Sequence, residues 1–104
     1  MKKEIWLNYL ESQVERCRQE GEARRAKIQG NIFQICATVY QALEAHLPPQ
    51  ELEAAYRRKL EALPENWRAA RDLAQAHGDM ARAAVEEWKL EAWQQAWDQL
   101  GKEA

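Results

Sequence analysis

The chain has 104 residues, with 15 Lys and Arg against 17 Asp and Glu, a formal net charge of −2. That length suits one domain around one core, spanning residues 1–104. The near balance of charge leaves no whole-protein field to recruit nucleic acid or an anionic membrane. Hydrophobic residues make up 46%, enough to pack an interior, and Gly and Pro are few. Together with abundant Ala, Glu, Gln, Arg and Leu, this is helix-forming composition.

The first predicted helix covers Lys3 to Gln19. Trp6, Leu10, Val14 and Cys17, with Tyr9 and Gln13 beside them, follow the helical period and form one apolar stripe. Glu4, Glu11, Glu15 and Arg18 lie opposite. The same residues exclude a secretory signal, because Glu4, Asn8 and Glu11 interrupt any apolar run behind the basic start. A cytoplasmic protein is expected, with Cys17 and Cys36 as free buried thiols. Gly21 marks the stop. The alternative is a kinked helix continuing through the charged run Glu20–Lys27, with Glu20 and Arg24 paired at i,i+4.

The second helix, from about Ala23 to Ala45, is the predicted centre of the fold. Ile28–Leu43 contains no charged side chain in a protein that is 31% charged. Ile28, Ile32, Ile35, Cys36, Val39 and Leu43 fall on one side, and Phe33, Tyr40 and Leu47 widen it. Asn31, Gln34, Thr38 and Gln41 form a narrow uncharged ridge. So broad an apolar sector predicts burial on several sides, Ile35 and Val39 included. Gly30 inside a helix costs about 1 kcal/mol relative to Ala, which points to another backbone approaching closely.

Pro48-Pro49 ends this helix, and Pro49 is suited to open the third, Pro49 to Ala62. There Leu52, Ala55, Tyr56 and Leu60 point inward, with Leu63 closing the face. Leu63-Pro64 breaks the chain again, since a residue before proline is pushed out of the α region. The fourth helix, Pro64 to His77, places Trp67, Ala70, Leu73, Ala74 and His77 at helical spacing. Gly78 reads as its C-terminal cap and Asp79 as the N-cap of the fifth helix, Met80 to about Leu100. On that last helix Val85, Trp88, Ala92 and Ala96 form one apolar side; Leu90, Trp93, Trp97 and Leu100 form a second. The expected architecture is therefore all-α, a single bundle of about five helices around a central one near residues 23–46.

Arg25-Ala26-Lys27-Ile28 with Asn31-Ile32, Leu63-Pro64 with Trp67, Ala76-His77-Gly78-Asp79, and Glu86-Glu87 with Lys89-Leu90 resemble a pattern in small uncharacterised all-helical bacterial proteins. That resemblance, over Arg25 to Leu90, implies a helical fold and no particular chemistry. Trp67, Ala74, Gly78-Asp79 and Ala83 also resemble tetratricopeptide-type helical hairpins. Arg71 stands where that repeat has a small residue, Ala74 where it has an aromatic, and its closing proline is missing. Three or more repeats normally make a solenoid, and hairpins stacked in a bundle account for the same residues.

Catalytic and metal chemistry finds little to work with. His46 and His77 each sit in the last turn of a helix, where the dipole and free carbonyls favour a capping role. No Glu-x-x-His, Cys-x-x-Cys or His-x-x-x-His spacing occurs, so neither a di-metal bundle site nor a zinc site is indicated. Ser12 and Thr38, the lone residues of their types, have no neighbouring histidine, and Cys36 lies among Ile32, Ile35 and Val39. Glu86, Glu87 and Glu91 read as a solvated acidic cluster. No glycine-rich phosphate loop is present. No enzyme activity, cofactor or metal is expected.

Two readings of function follow. The first is a non-catalytic interaction module that self-associates as a homodimer through Leu90, Trp93, Trp97 and Leu100, tryptophan being a favoured interface anchor. The second is a small nucleic-acid-binding regulator. In it the third and fourth helices imitate a helix-turn-helix and present Arg57, Arg58, Lys59, Arg68 and Arg71. Glu51, Glu53, Glu61, Glu65 and Asp72 are interleaved with those cations, which argues against phosphate binding. The second reading requires the arginines to share one exposed face free of acids.

Overall fold

The computed structural model describes residues 1–21 and 23–103; Glu22 and Ala104 lie outside them. Five helices follow one another: α1 (Lys3–Gln19), α2 (Arg24–Glu44), α3 (Pro49–Ala62), α4 (Glu65–Ala76) and α5 (Met80–Lys102). No strand occurs among the described residues. The turn at Gly21 separates α1 from α2: Gly21 has φ +79, and its N–H bonds the Arg18 carbonyl at 3.0 Å. A left-handed φ costs an L side chain roughly 1–2 kcal/mol, which explains the glycine. Glu20 pairs with Arg16 rather than with Arg24.

The connection between α4 and α5 is equally local. Gly78 has φ +73, and the Asp79 N–H reaches back to the Ala74 carbonyl at 2.8 Å. This is the bonding of a Schellman-type stop. The Asp79 carboxylate then accepts from the Arg82 N–H at 3.1 Å and caps α5. Two residues thus end one helix and start the next.

Helix α2 packs against α1, α5 and α3, while α4 packs chiefly on α5. The α4–α5 hairpin lengthens the molecule to 46 × 29 × 23 Å. Its radius of gyration of 14.6 Å exceeds the roughly 13 Å of a spherical domain this long. At Gly30 the close neighbour is a side chain and not the expected backbone: a Cβ there would stand 3.2 Å from Cys17 Cβ of α1. The core gathers Trp6, Leu10 and Cys17 of α1 with Ile32, Phe33, Cys36 and Tyr40 of α2. Leu52, Tyr56 and Leu60 of α3 and Ala92, Trp93, Ala96 and Leu100 of α5 complete it.

Three sequence expectations are corrected. Ile35 lies outside the core at 38% exposure, and Val39 is only half-buried, because the three neighbours of α2 all crowd its other side. Leu73 (62% exposed) and His77 face solvent, since α4 has one main neighbour and only Ala74 of this helix is fully covered. Leu63 keeps helical dihedrals (φ −56, ψ −41) despite the proline after it. The helix breaks instead because Pro64 has no N–H to offer the Leu60 carbonyl.

The centre of the core is held by directional bonds. Trp6 Nε1 donates to the Tyr56 hydroxyl at 2.9 Å, and that hydroxyl donates to the Cys36 carbonyl at 2.9 Å. Tyr40 meets the Tyr56 ring edge-on at 5.0 Å and Trp6 does so at 6.2 Å. Tyr56→Phe strips both bonds and leaves the Trp6 N–H unpaired in the interior. It is expected to cost about 1–3 kcal/mol in a urea titration, whereas Tyr9→Phe, losing a 3.5 Å exposed contact, should shift the midpoint little.

Burial also sets the alkaline behaviour. It pushes the Cys36 thiol from 9.0 up to about 12, and it raises the Tyr56 phenol strongly. The folded protein therefore keeps protons that the unfolded chain releases above about pH 9. Stability should be level near neutrality and fall by up to about 1.4 kcal/mol per pH unit from Cys36 alone between pH 9 and 12. Replacing Cys36 with Ala should flatten that part of the profile, measured by urea midpoints across pH.

Candidate interaction surface

Four regions bear on function: the tryptophan side of α5, the basic cluster of α3 and α4, a buried acid on α5, and the outer face of α2. On α5, Trp93 is 4% exposed and Leu100 fully buried, while Leu90 and Trp97 are half-buried. The expected interface is therefore largely internal. Trp93 Nε1 donates at 2.8 Å to the Leu60 carbonyl, the group that Pro64 leaves without its helical donor. Trp97 stacks on Trp93 at 5.6 Å, and Arg68 lies over the Trp93 ring at 5.2 Å. Arg57 bonds the Leu100 carbonyl at 3.3 Å and closes the end of α5. Arg57 of α3 and Arg68 of α4 reach over this side, which the spacing of apolar residues along α5 alone did not reveal.

The basic cluster is dispersed in the same way. Arg57 also pairs with Glu53, and Arg71 pairs with Asp72 and Glu87. Arg68 is engaged with Trp93. Arg58, Lys59 and Arg68 stand exposed, and none of the three has an ion pair among the described residues. The arginines do not form one acid-free face, which is the condition the regulator reading requires.

Glu86 is the residue that sequence reasoning missed. It is 1% exposed, not solvated. Arg82 Nε donates to its Oε1 at 3.1 Å, and Lys89 Nζ stands 3.3 Å from both carboxylate oxygens. The approach of Lys89 to Oε2 is an ionic contact without hydrogen-bond geometry, so Oε2 has no hydrogen-bond partner. The clue lies in the heptad series Ala83, Glu86, Leu90, Trp93, Trp97, Leu100, where Glu86 occupies an apolar position. A cleft of about 380 Å³ lies beside it, bordered by Arg24, Asp79, Arg82, Val85 and Lys89. The neighbouring acids are also committed: Glu87 to Arg71, and Glu91 to Arg25 and to Gln29 at 3.1 Å. Gln29 is itself buried and bonds the Trp88 carbonyl at 3.1 Å, tying α2 to α5.

The outer face of α2 is the remaining region. Asn31, Gln34, Ile35, Thr38, Gln41, Ala42 and Ala45 are all exposed. The expected narrow polar ridge is thus a broad solvent face running over about four turns without a charged side chain between Ile28 and Leu43. Along one edge, where α1 lies beside it, runs an open groove of about 970 Å³ bordered by Leu7, Val14, Gln34, Ala37 and Gln41.

His46 and His77 are exposed, and neither imidazole bonds a helix carbonyl among the described residues. Cys17 and Cys36 are free and buried. No group of three or more His, Cys, Asp or Glu side chains suited to a metal ion occurs among the described residues. No described helix is long and apolar enough to cross a membrane. Comparison of the chain with protein-family models, curated proteins and solved structures gave no match.

Removing a partner from the Glu86 cluster should act asymmetrically. Arg82→Met with Lys89→Met leaves a buried carboxylate with no cation and should cost roughly 3–5 kcal/mol. Glu86→Met should stay within about 1 kcal/mol of the parent protein, because the Arg82 and Lys89 side chains, 61% and 28% exposed, already reach solvent. Urea midpoints of the two variants provide the comparison.

Proposed function

We propose that this chain is a non-catalytic protein–protein interaction module that self-associates as a homodimer in the cytoplasm. The observation that supports this reading is the outer face of α2. A helix at the centre of a bundle presents to water a strip with no charge and with Ile35 exposed, in a protein otherwise dense in Glu and Arg. Solvent faces of helices are ordinarily charged, and uncharged faces are the ones that pack. The two free, buried thiols suit a reducing compartment.

Sedimentation equilibrium over a concentration series tests the reading. A reversible monomer–dimer equilibrium is expected. A single monomeric species up to high micromolar concentration removes self-association from the account.

A further inference from the structure

We infer that the dimer forms by antiparallel, two-fold packing of α2 on α2 of a second copy, along the stripe Ile28, Asn31, Ile35, Thr38, Ala42 and Ala45. This inference rests on the self-association proposed above and adds the surface, the orientation and the register.

The stripe follows steps of three and four residues without a break, the 3.5-residue period at which two helices keep one seam in contact. Ile28 is half-buried at the edge of the core; the other five residues are exposed. A second copy fits for two reasons. First, a two-fold interface brings a patch against itself, and like charges facing one another there are destabilising; this stripe has none to oppose. Every other helix exposes charged side chains on its solvent face: Glu11, Glu15 and Arg18 on α1, Glu51 and Arg58 on α3, Glu65 and Asp72 on α4, Glu91 and Asp98 on α5. Second, the residue sizes complement one another in one direction only. With the two-fold axis between positions 35 and 38, Ile35 meets Thr38 of the second copy, Asn31 meets Ala42, and Ile28 meets Ala45. Each layer then joins a larger side chain to a smaller one, so the helix axes stay evenly spaced. A parallel pairing would stack Ile28 on Ile28 and Ile35 on Ile35, while Ala42 and Ala45 faced each other across a gap. Antiparallel helix dipoles also favour the first arrangement.

A seam of six residues a side is a small interface, so the dimer exchanges with monomer.

Cross-linking and one disruptive substitution test this together. Ile35→Cys protein and Thr38→Cys protein, mixed under mild oxidation, should yield a disulfide-linked dimer well above either protein alone. The unsubstituted protein serves as control, because Cys17 and Cys36 are buried. Thr38→Arg, at an exposed site, should leave the circular-dichroism melt unchanged and shift sedimentation to monomer, with at least a tenfold weaker dimer. A dimer that survives Thr38→Arg, or Ile35→Cys protein that cross-links to itself as readily as the mixture does, overturns the surface or the orientation while self-association stands. A parent protein that never dimerises removes both proposals at once.

Discussion

One hydroxyl group holds three helices in register. Tyr56 of α3 accepts the Trp6 indole N–H of α1 and donates to the Cys36 carbonyl of α2, with Tyr40 packed edge-on against its ring. Apolar burial alone would tolerate sliding of these helices, because it rewards area and not direction. A buried polar group does not: each atom of this relay must find its one partner or lose it to a medium with no water. The residues joined are 50 and 20 positions apart in the chain, so the relay forms only when α1, α2 and α3 are all seated.

A second device of the same kind repairs a deliberate break. Pro64 ends α3 by withholding the N–H four residues on from the Leu60 carbonyl, which accepts the Leu63 N–H at 3.3 Å and the Trp93 indole N–H of α5 at 2.8 Å. The tryptophans that make α5 look like an interface are in part occupied with closing the chain's own backbone bonds. Arg57 adds a bond to the Leu100 carbonyl, which also accepts the Glu103 N–H, and Gln29 bonds the Trp88 carbonyl. Consequently Trp93 is closed to a partner, while the neutral face of α2 stays open to water.

Element boundaries were legible because they depend on local chemistry. Gly21, Pro48-Pro49, Pro64 and Gly78-Asp79 each end or start a helix through their own dihedral or donor properties, and each of the four junctions between helices falls within a few residues of one of those signals. Most inward residues of α1 and α3 were also readable, since each of these helices has one apolar stripe. Periodicity failed where it had to state who the neighbour is. Leu73 and His77 share the apolar face of α4, yet nothing lies over them, and Ile35 shares the apolar sector of α2 beyond the reach of α1, α3 and α5. Gln29 was missed for the converse reason: its burial rests on partners about sixty residues away. Glu86 was missed although Arg82 and Lys89 lie within a turn of it, because an acid flanked by cations on one helix ordinarily stays in water.

Helix α5 shows what such bonds accomplish beyond stability. Its apolar residues, from Val85 through Trp88, Leu90, Ala92 and Trp93 to Trp97 and Leu100, surround most of its circumference. Such a helix is close to rotationally degenerate: turned about its axis by one residue's angle, it would still bury a comparable area. The competing rotations are separated by the atoms that would go unpaired. Any turn swings the Trp93 N–H off the Leu60 carbonyl, the Trp88 carbonyl away from Gln29, and Glu91 away from Arg25. Greasy surface draws α5 into the bundle; a few polar contacts along its length select one azimuth among several that oil alone would accept.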